Sequence, residues 1–190
     1  MNTPTDDTLP DGFNDHIPDY SAEDIQYWNE SLFASQLCNP IEWFERSRAL
    51  IATARITKKQ SEKIISHSEK HALEQVCSML YGLSLENLFK AHWILNKYGA
   101  PHIGAWEPDV KFPKEIIGHN LVKLAGLIEL PMTEKRRYAL TYFTEAATWS
   151  GRYPCPLKAD DSQSAFFLPG TFEIAEKIYR KLKVNFTISD

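Results

Sequence analysis

The chain has 190 residues, of which 43% are hydrophobic and 24% charged, enough to bury one substantial core and too few for a second full domain. No apolar run approaches the roughly 18 residues that span a bilayer, and the first residues lack the basic start and apolar centre of a signal peptide, so a soluble, cytoplasmic protein is expected. Cys38, Cys77 and Cys155 are odd in number and form no Cys-x-x-Cys, which argues against a disulfide framework and against a thiolate zinc site.

In chain order, residues 1–20 read as a flexible acidic leader and 21–190 as a single helical domain. Residues 1–40 hold eight acids and no Lys or Arg, leaving 21 basic against 17 acidic residues in 41–190, so the net charge of −4 hides an asymmetry. A solvated tail is the plain reading of such a leader, and an acidic arm over a basic groove or a partner is the sharper one. The remainder is too weakly basic to announce nucleic-acid binding by itself. Ser21 followed by Asp24 resembles a helix start and predicts a first helix at Ala22–Leu37. Asn39, Pro40 and Glu42 form a stronger signal, because Asn caps, Pro fits the first helical position and Glu favours the helix dipole; they place a second helix at Pro40–Thr57.

From Gln60 to Tyr98 there is no proline and one glycine, and the apolar positions keep helical spacing, compatible with one very long helix. Around Leu83–Leu95 it is apolar on nearly every side, which places it centrally. Gly99 and Pro101 end it, and Pro101–Pro113 is a long connection. A helix over Lys114–Leu130, another from Thr133 to Ser150 and a short amphipathic one capped by Thr171 through Lys183 follow. Strand signals are sparse. The expected fold is all-α, an antiparallel up-and-down four-helix-type bundle with accessory N- and C-terminal helices.

Three patterns carry the candidate chemistry. Glu86 and Lys90 fall in the sector of the long helix that also carries Val76, Met79, Leu83 and Ile94, so a charged pair interrupts an apolar stripe. The i,i+4 spacing with Glu on the N-terminal side supplies each with a partner. The plain reading is an intrahelical pair whose Lys head escapes to solvent; the functional one is a pair lining a phosphate or nucleotide cleft. His119 follows Gly118 at the start of an apolar helix, where it either satisfies nearby backbone groups or meets an anion or acts as an acid–base. Arg152 and Tyr153 lie after a helix and before Pro154, where an Arg fork and a Tyr ring suit carboxylate or phosphate, or tie the loop to the bundle.

His67 and His71 share a helix face, but two ligands are too few for a closed zinc site and no metal is expected. Trp106, in the long connection, is the tryptophan expected to be exposed for recognition. No phosphate loop, dinucleotide fingerprint or nucleophile elbow occurs, which disfavours a small-molecule enzyme and gives no cofactor.

In order, Glu86/Lys90, His119/Leu121 and Arg152/Tyr153/Pro154 resemble the HEPN superfamily of helical nucleotide- and RNA-associated domains, over roughly Trp43–Lys183. The resemblance implies a mainly four-helix bundle, often a homodimer, whose members serve as ribonuclease toxins, antitoxins, nucleotide-binding partners of nucleotidyltransferases, or inactive scaffolds. It also implies a setting in toxin–antitoxin or phage-defence machinery. One departure matters. Ribonuclease members share an Arg followed four to six residues later by His, and no Arg here stands in that relation to a His. The expectation is therefore a non-enzymatic or inactive domain that binds a nucleotide, an RNA or a protein partner through Glu86, Lys90, His119, Arg152 and Tyr153. The alternatives are an atypical metal-independent ribonuclease using His119 and Arg152, and a dimeric structural adaptor.

Overall fold

Capping chemistry sets most helix starts in the computed structural model, which describes residues 20–101, 106, 111–153 and 167–186, and the side chains of all of these but 34 and 35. The chain divides into two units, Met1–Ser35 and Gln36–Asp190. The leader up to residue 19, Pro154, Cys155 and Ile188 lie outside the described residues. Helix α1 covers Ala22–Leu37 as expected. Ser21 Oγ accepts from the Asp24 backbone N–H at 3.1 Å and Asp24 Oδ2 accepts from the Ser21 N–H at 3.2 Å, a reciprocal capping box.

Helix α2 runs over Pro40–Ser61, with Asn39 accepting from the Ile41 N–H at 3.0 Å. It continues past the expected end at Thr57, and Lys58 and Lys59 occupy the last turn, where cations suit the carbonyl end. Helix α3 covers His67–Tyr98, so Gln60–Tyr98 is not one continuous helix. The break needs no proline. Ser61 Oγ donates to the Lys58 carbonyl at 2.8 Å, occupying a carbonyl of the last turn, and Ser66 adopts extended backbone at ψ 120 before the chain re-enters a helix. Gly99, at φ 74, closes α3.

The expected helix over Lys114–Leu130 is shorter. Lys114–Ile116 forms a 3-10 turn, Ile117 is extended, and Gly118 takes φ 101, open to glycine and strained for other residues. Helix α4 then spans only Leu121–Leu127, with Asn120 accepting from the Lys123 N–H at 2.9 Å. Helix α5 covers Glu134–Glu145 behind the Thr133 cap and ends in a π turn over Ala146–Ser150. Helix α6 covers Thr171–Leu182. Thr171 is not its cap: Gly170, at φ 90, holds that position, and the Thr171 hydroxyl donates to the Leu168 carbonyl at 2.7 Å.

Within Gln36–Asp190 the helices form an all-α bundle in which α3 is central, packing on α2, α4, α5 and α6. Ser47 and Ser84 clasp α2 to α3, each hydroxyl donating to the other residue's carbonyl at 2.7 and 2.9 Å, and Cys77 donates to the Ala54 carbonyl further along. Sequence numbers rise on one helix as they fall on the other, so the pair is antiparallel. Arg55 meeting Glu176 and Lys58 meeting Glu173 make α2 and α6 antiparallel too. Gly82 lets α5 approach α3, since a Cβ there would strike the Phe143 carbonyl. Leu85, Leu88, Phe89 and Ile94 are fully buried on α3, each contributing about 1.5–3 kcal/mol. Among the described residues there is no strand, and no helix is long and apolar enough to cross a membrane.

Candidate functional site

The Glu86/Lys90 pair is buried. Each residue is 5% exposed, and Lys90 Nζ donates to Glu86 Oε1 at 2.8 Å. The Lys90 head does not escape to solvent, contrary to the plain reading of the sequence. It is held between aromatic rings, 5.4 Å from the Trp43 centroid and 5.9 Å from that of Phe112, which themselves lie 5.7 Å apart. The ring faces favour a cation, and the carboxylate compensates the charge removed from water. Trp43 comes from α2 and Phe112 from the segment before the 3-10 turn, so three parts of the chain close over one ammonium.

The second carboxylate oxygen faces the other way. Glu86 Oε2 lies 2.8 Å from His119 Nδ1, and the His119 side chain is 57% exposed. A carboxylate only accepts, so Nδ1 carries the proton and donates, which leaves Nε2 of a neutral ring as an acceptor. The turn at Gly118 brings the ring to Glu86, and the next helix is fixed by two side chains: Asn120 accepts from the Lys123 N–H, and Thr144 Oγ1 of α5 accepts from the Leu121 N–H at 3.0 Å. His119 is therefore not the cap of α4. A buried cation orients a buried carboxylate, which orients an exposed imidazole, a chain of positioning that suits hydrogen bonding to a ligand or proton exchange with one.

Arg152 and Tyr153 do not join this cluster through any hydrogen bond or ring contact among the described residues. Both are exposed, and the Arg152 guanidinium lies 5.2 Å from the Tyr153 ring centroid. Their backbone N–H groups donate to the Trp149 carbonyl, tying the turn to the end of α5. The neighbouring Gly151 packs against Met79 and Gln75 of α3, and Met79 stands seven residues, about 10 Å of helix, from Glu86. The five anticipated residues thus form two groups, Glu86–Lys90–His119 and Arg152–Tyr153.

Trp106 departs from expectation. It is half-buried, and its indole N–H is enclosed with no hydrogen-bond partner among the described residues. His67 and His71 are exposed, and among the described residues no three His, Cys, Asp or Glu side chains gather as a metal site. A second, half-buried acidic centre escaped the sequence reading altogether. Glu176 of α6 accepts from Arg55 Nε and a terminal guanidinium nitrogen at 2.9 and 2.8 Å, and from the Tyr81 hydroxyl at 2.8 Å. The guanidinium holds the Glu176 carboxyl below its ordinary range, and burial, reinforced by Glu176, pushes the Tyr81 phenol up. These partners are separated by 121 and 95 positions, and no local pattern announces them. The cage around Lys90 was missed too; its only signal was that a charged pair inside an apolar stripe requires a cover. Comparison with protein-family models, with curated proteins and with solved structures finds no match for this chain.

Proposed function

We propose that this is a HEPN-like helical domain that binds a nucleotide or RNA without cleaving it, with His119 as the ligand-contacting group and Glu86 and Lys90 as its support. The observation that carries the reading is the exposed His119 ring held at 2.8 Å by a carboxylate that is itself buried and clamped. A pair serving stability alone is complete without an exposed imidazole at its mouth. The free Nε2 of His119 donates to a phosphate oxygen when the ring is protonated and accepts from a ribose hydroxyl or a base N–H when it is neutral, whereas the two groups beneath are covered. A homodimer, and a partner such as a nucleotidyltransferase or a cognate toxin or antitoxin, belong to the same proposal through the resemblance.

A second reading, metal-independent RNA cleavage, draws on the same Glu86–His119 contact, because a carboxylate-oriented imidazole is the arrangement that acid–base catalysis uses. It is weaker because Arg152, the group assigned to stabilise phosphate charge, makes no contact with that cluster among the described residues. The test is a labelled mixed-sequence RNA and a set of nucleotides titrated into the protein in excess EDTA, with gel analysis of the RNA afterwards. Binding without cleavage, weakened at least about tenfold in His119→Ala, is expected for loss of one charge-assisted contact. Cleavage abolished by His119→Ala would replace the first reading by the second. Binding indifferent to His119 would remove both.

A further inference from the structure

Helix α1 carries an apolar stripe turned to solvent. Ile25, Trp28 and Leu32 stand at i, i+3 and i+7, on one face of the helix, and are 50, 58 and 51% exposed. Tyr27 and Phe33, on other sides, are exposed as well. A helix of 16 residues is marginal in water by itself, so a surface that receives the stripe stabilises it. The helix holds three acids, Glu23, Asp24 and Glu30, and no Lys or Arg, and residues 1–35 hold all eight acids of the leader. That charge disfavours an anionic membrane or a nucleic-acid backbone as the receiving surface, and it opposes the pairing of α1 with another α1.

The outward side of α2 matches the stripe. Ser47 and Ala54 are buried, and Ile56, across the helix from both, is 64% exposed with exposed Ala49 and Ala52 beside it. Ala49, Ala52 and Ile56 repeat the i, i+3, i+7 spacing, so the two stripes have equal length, about 10 Å, and the two small side chains leave room for an indole. The neighbouring Thr53 hydroxyl is already used, donating to the Ala49 carbonyl at 3.0 Å. Over 46–63 the bases Arg46, Arg48, Arg55, Lys58, Lys59 and Lys63 stand against one acid, Glu62. Arg48, Arg55 and Lys58 are matched by Glu45, Glu176 and Glu173, which leaves Arg46, Lys59 and Lys63 without an acidic partner among the described residues.

We propose that α1 of one copy docks on the outward side of α2 of a second copy, and that the exchange is reciprocal about a two-fold axis. Ile25, Trp28 and Leu32 bury against Ala49, Ala52 and Ile56 of the second copy, large side chains on small ones. Asp24 borders the stripe while Glu23 and Glu30 lie across the helix, so charge steers the approach to the basic side of α2 and the apolar contact holds it. The two-fold makes the contact twice, because each copy supplies both an arm and a receiver. It gives a contact to the homodimer drawn above from resemblance, and ligand binding at His119 neither requires it nor fails with it.

The test is sedimentation equilibrium of the full chain over a range of concentrations, with Trp28→Asp, Ile56→Asp and an equimolar mixture of the two. A dimer with a dissociation constant on the order of 10 µM is expected, since two single-helix contacts make a small interface. Each variant should weaken it at least about thirtyfold by placing a charge in the contact. The mixture should form a dimer that neither variant forms alone, weaker than the parent's, because the intact arm of Ile56→Asp meets the intact α2 of Trp28→Asp. Raising the salt from about 50 to 500 mM should weaken the parent dimer about threefold or more. Both substituted positions are exposed within the chain, so the fold is retained, and an unchanged circular dichroism melt verifies it. A monomer at every concentration, a dimer undiminished in either variant or indifferent to salt, or no dimer in the mixture would each overturn the proposal; the first would turn α1 toward a different protein.

Discussion

Two carboxylates in this bundle are clamped in the same way and finished differently. Glu86 is held by Lys90 and Glu176 by Arg55, and each carboxylate receives a donor from one further residue. For Glu176 that donor is the hydroxyl of Tyr81, which is 1% exposed, so the inner side of the arrangement is closed. For Glu86 it is His119, more than half exposed, so the arrangement opens to solvent through a group that exchanges protons and accepts hydrogen bonds. The cations differ in the opposite sense. Lys90 is enclosed by aromatic rings, whereas Arg55 is 47% exposed at its side chain and returns to water easily. The contrast separates a clasp that joins α2 to α6 from a support that presents a side chain.

The largest effect should come from Glu86→Ala. It leaves the Lys90 ammonium buried between Trp43 and Phe112 with no counter-charge, and a loss of about 3–5 kcal/mol is expected from urea unfolding. Adding Lys90→Met should recover most of it. If Glu86→Ala is as stable as the parent, Lys90 is not enclosed as described.

Glu176→Gln should matter less, about 1–2 kcal/mol, because solvent screens the half-exposed Arg55 and the amide still meets Tyr81. It also carries a pH signature. The folded Glu176 carboxyl lies below the ordinary 4.5, so its contribution is fully present above that value and is lost as pH falls through the lower folded value. The acid limb of the stability curve should therefore flatten in Glu176→Gln. His92 adds a second acid-sensitive group on α3. Its Nε2 donates to the Leu182 carbonyl at 2.9 Å, and burial pushes its pKa below the ordinary 6.5, so stability present above 6.5 should decline as the pH falls below it. Urea midpoints at pH 7.5 and 5.5 should converge in His92→Asn if the decline belongs to this residue.

These partners explain how much was legible beforehand. Helix caps and periodicity are local, so Ser21, Asn39 and Thr133 announced their helices, and the apolar girth of Leu83–Leu95 announced the central position of α3. Glu86 and Lys90 were visible because they interrupt a stripe within one helix. Tyr81 and Arg55 were not, since their meeting with Glu176 depends on how α2, α3 and α6 align. The sequence could not place Arg152 relative to His119, because order along the chain says nothing about where the Gly151 turn packs on α3. Ser66, an extended residue without a side-chain cap, broke the long helix with no Pro or Gly to signal it.

Smaller effects sharpen the contrast. His119→Ala should change stability by about 0.5–1 kcal/mol at most, because its ring is largely in water, while weakening ligand binding. Arg152→Ala, exposed and touching chiefly Tyr153, should shift stability by no more than about 0.5 kcal/mol and leave binding at His119 unchanged. A binding loss in Arg152→Ala equal to that in His119→Ala would instead unite the two groups.

The most direct measurement is of the imidazole nitrogens themselves, by long-range proton–nitrogen correlation NMR on uniformly labelled protein during titration with an RNA oligonucleotide. The account predicts that His119 in the free protein carries its proton on Nδ1, toward Glu86, and that its Nε2 resonance moves on RNA addition while buried His92 stays in place. A His119 signal unmoved by RNA that binds elsewhere, or by RNA that does not bind, would contradict the claim that Glu86 and Lys90 exist to present this ring to a ligand.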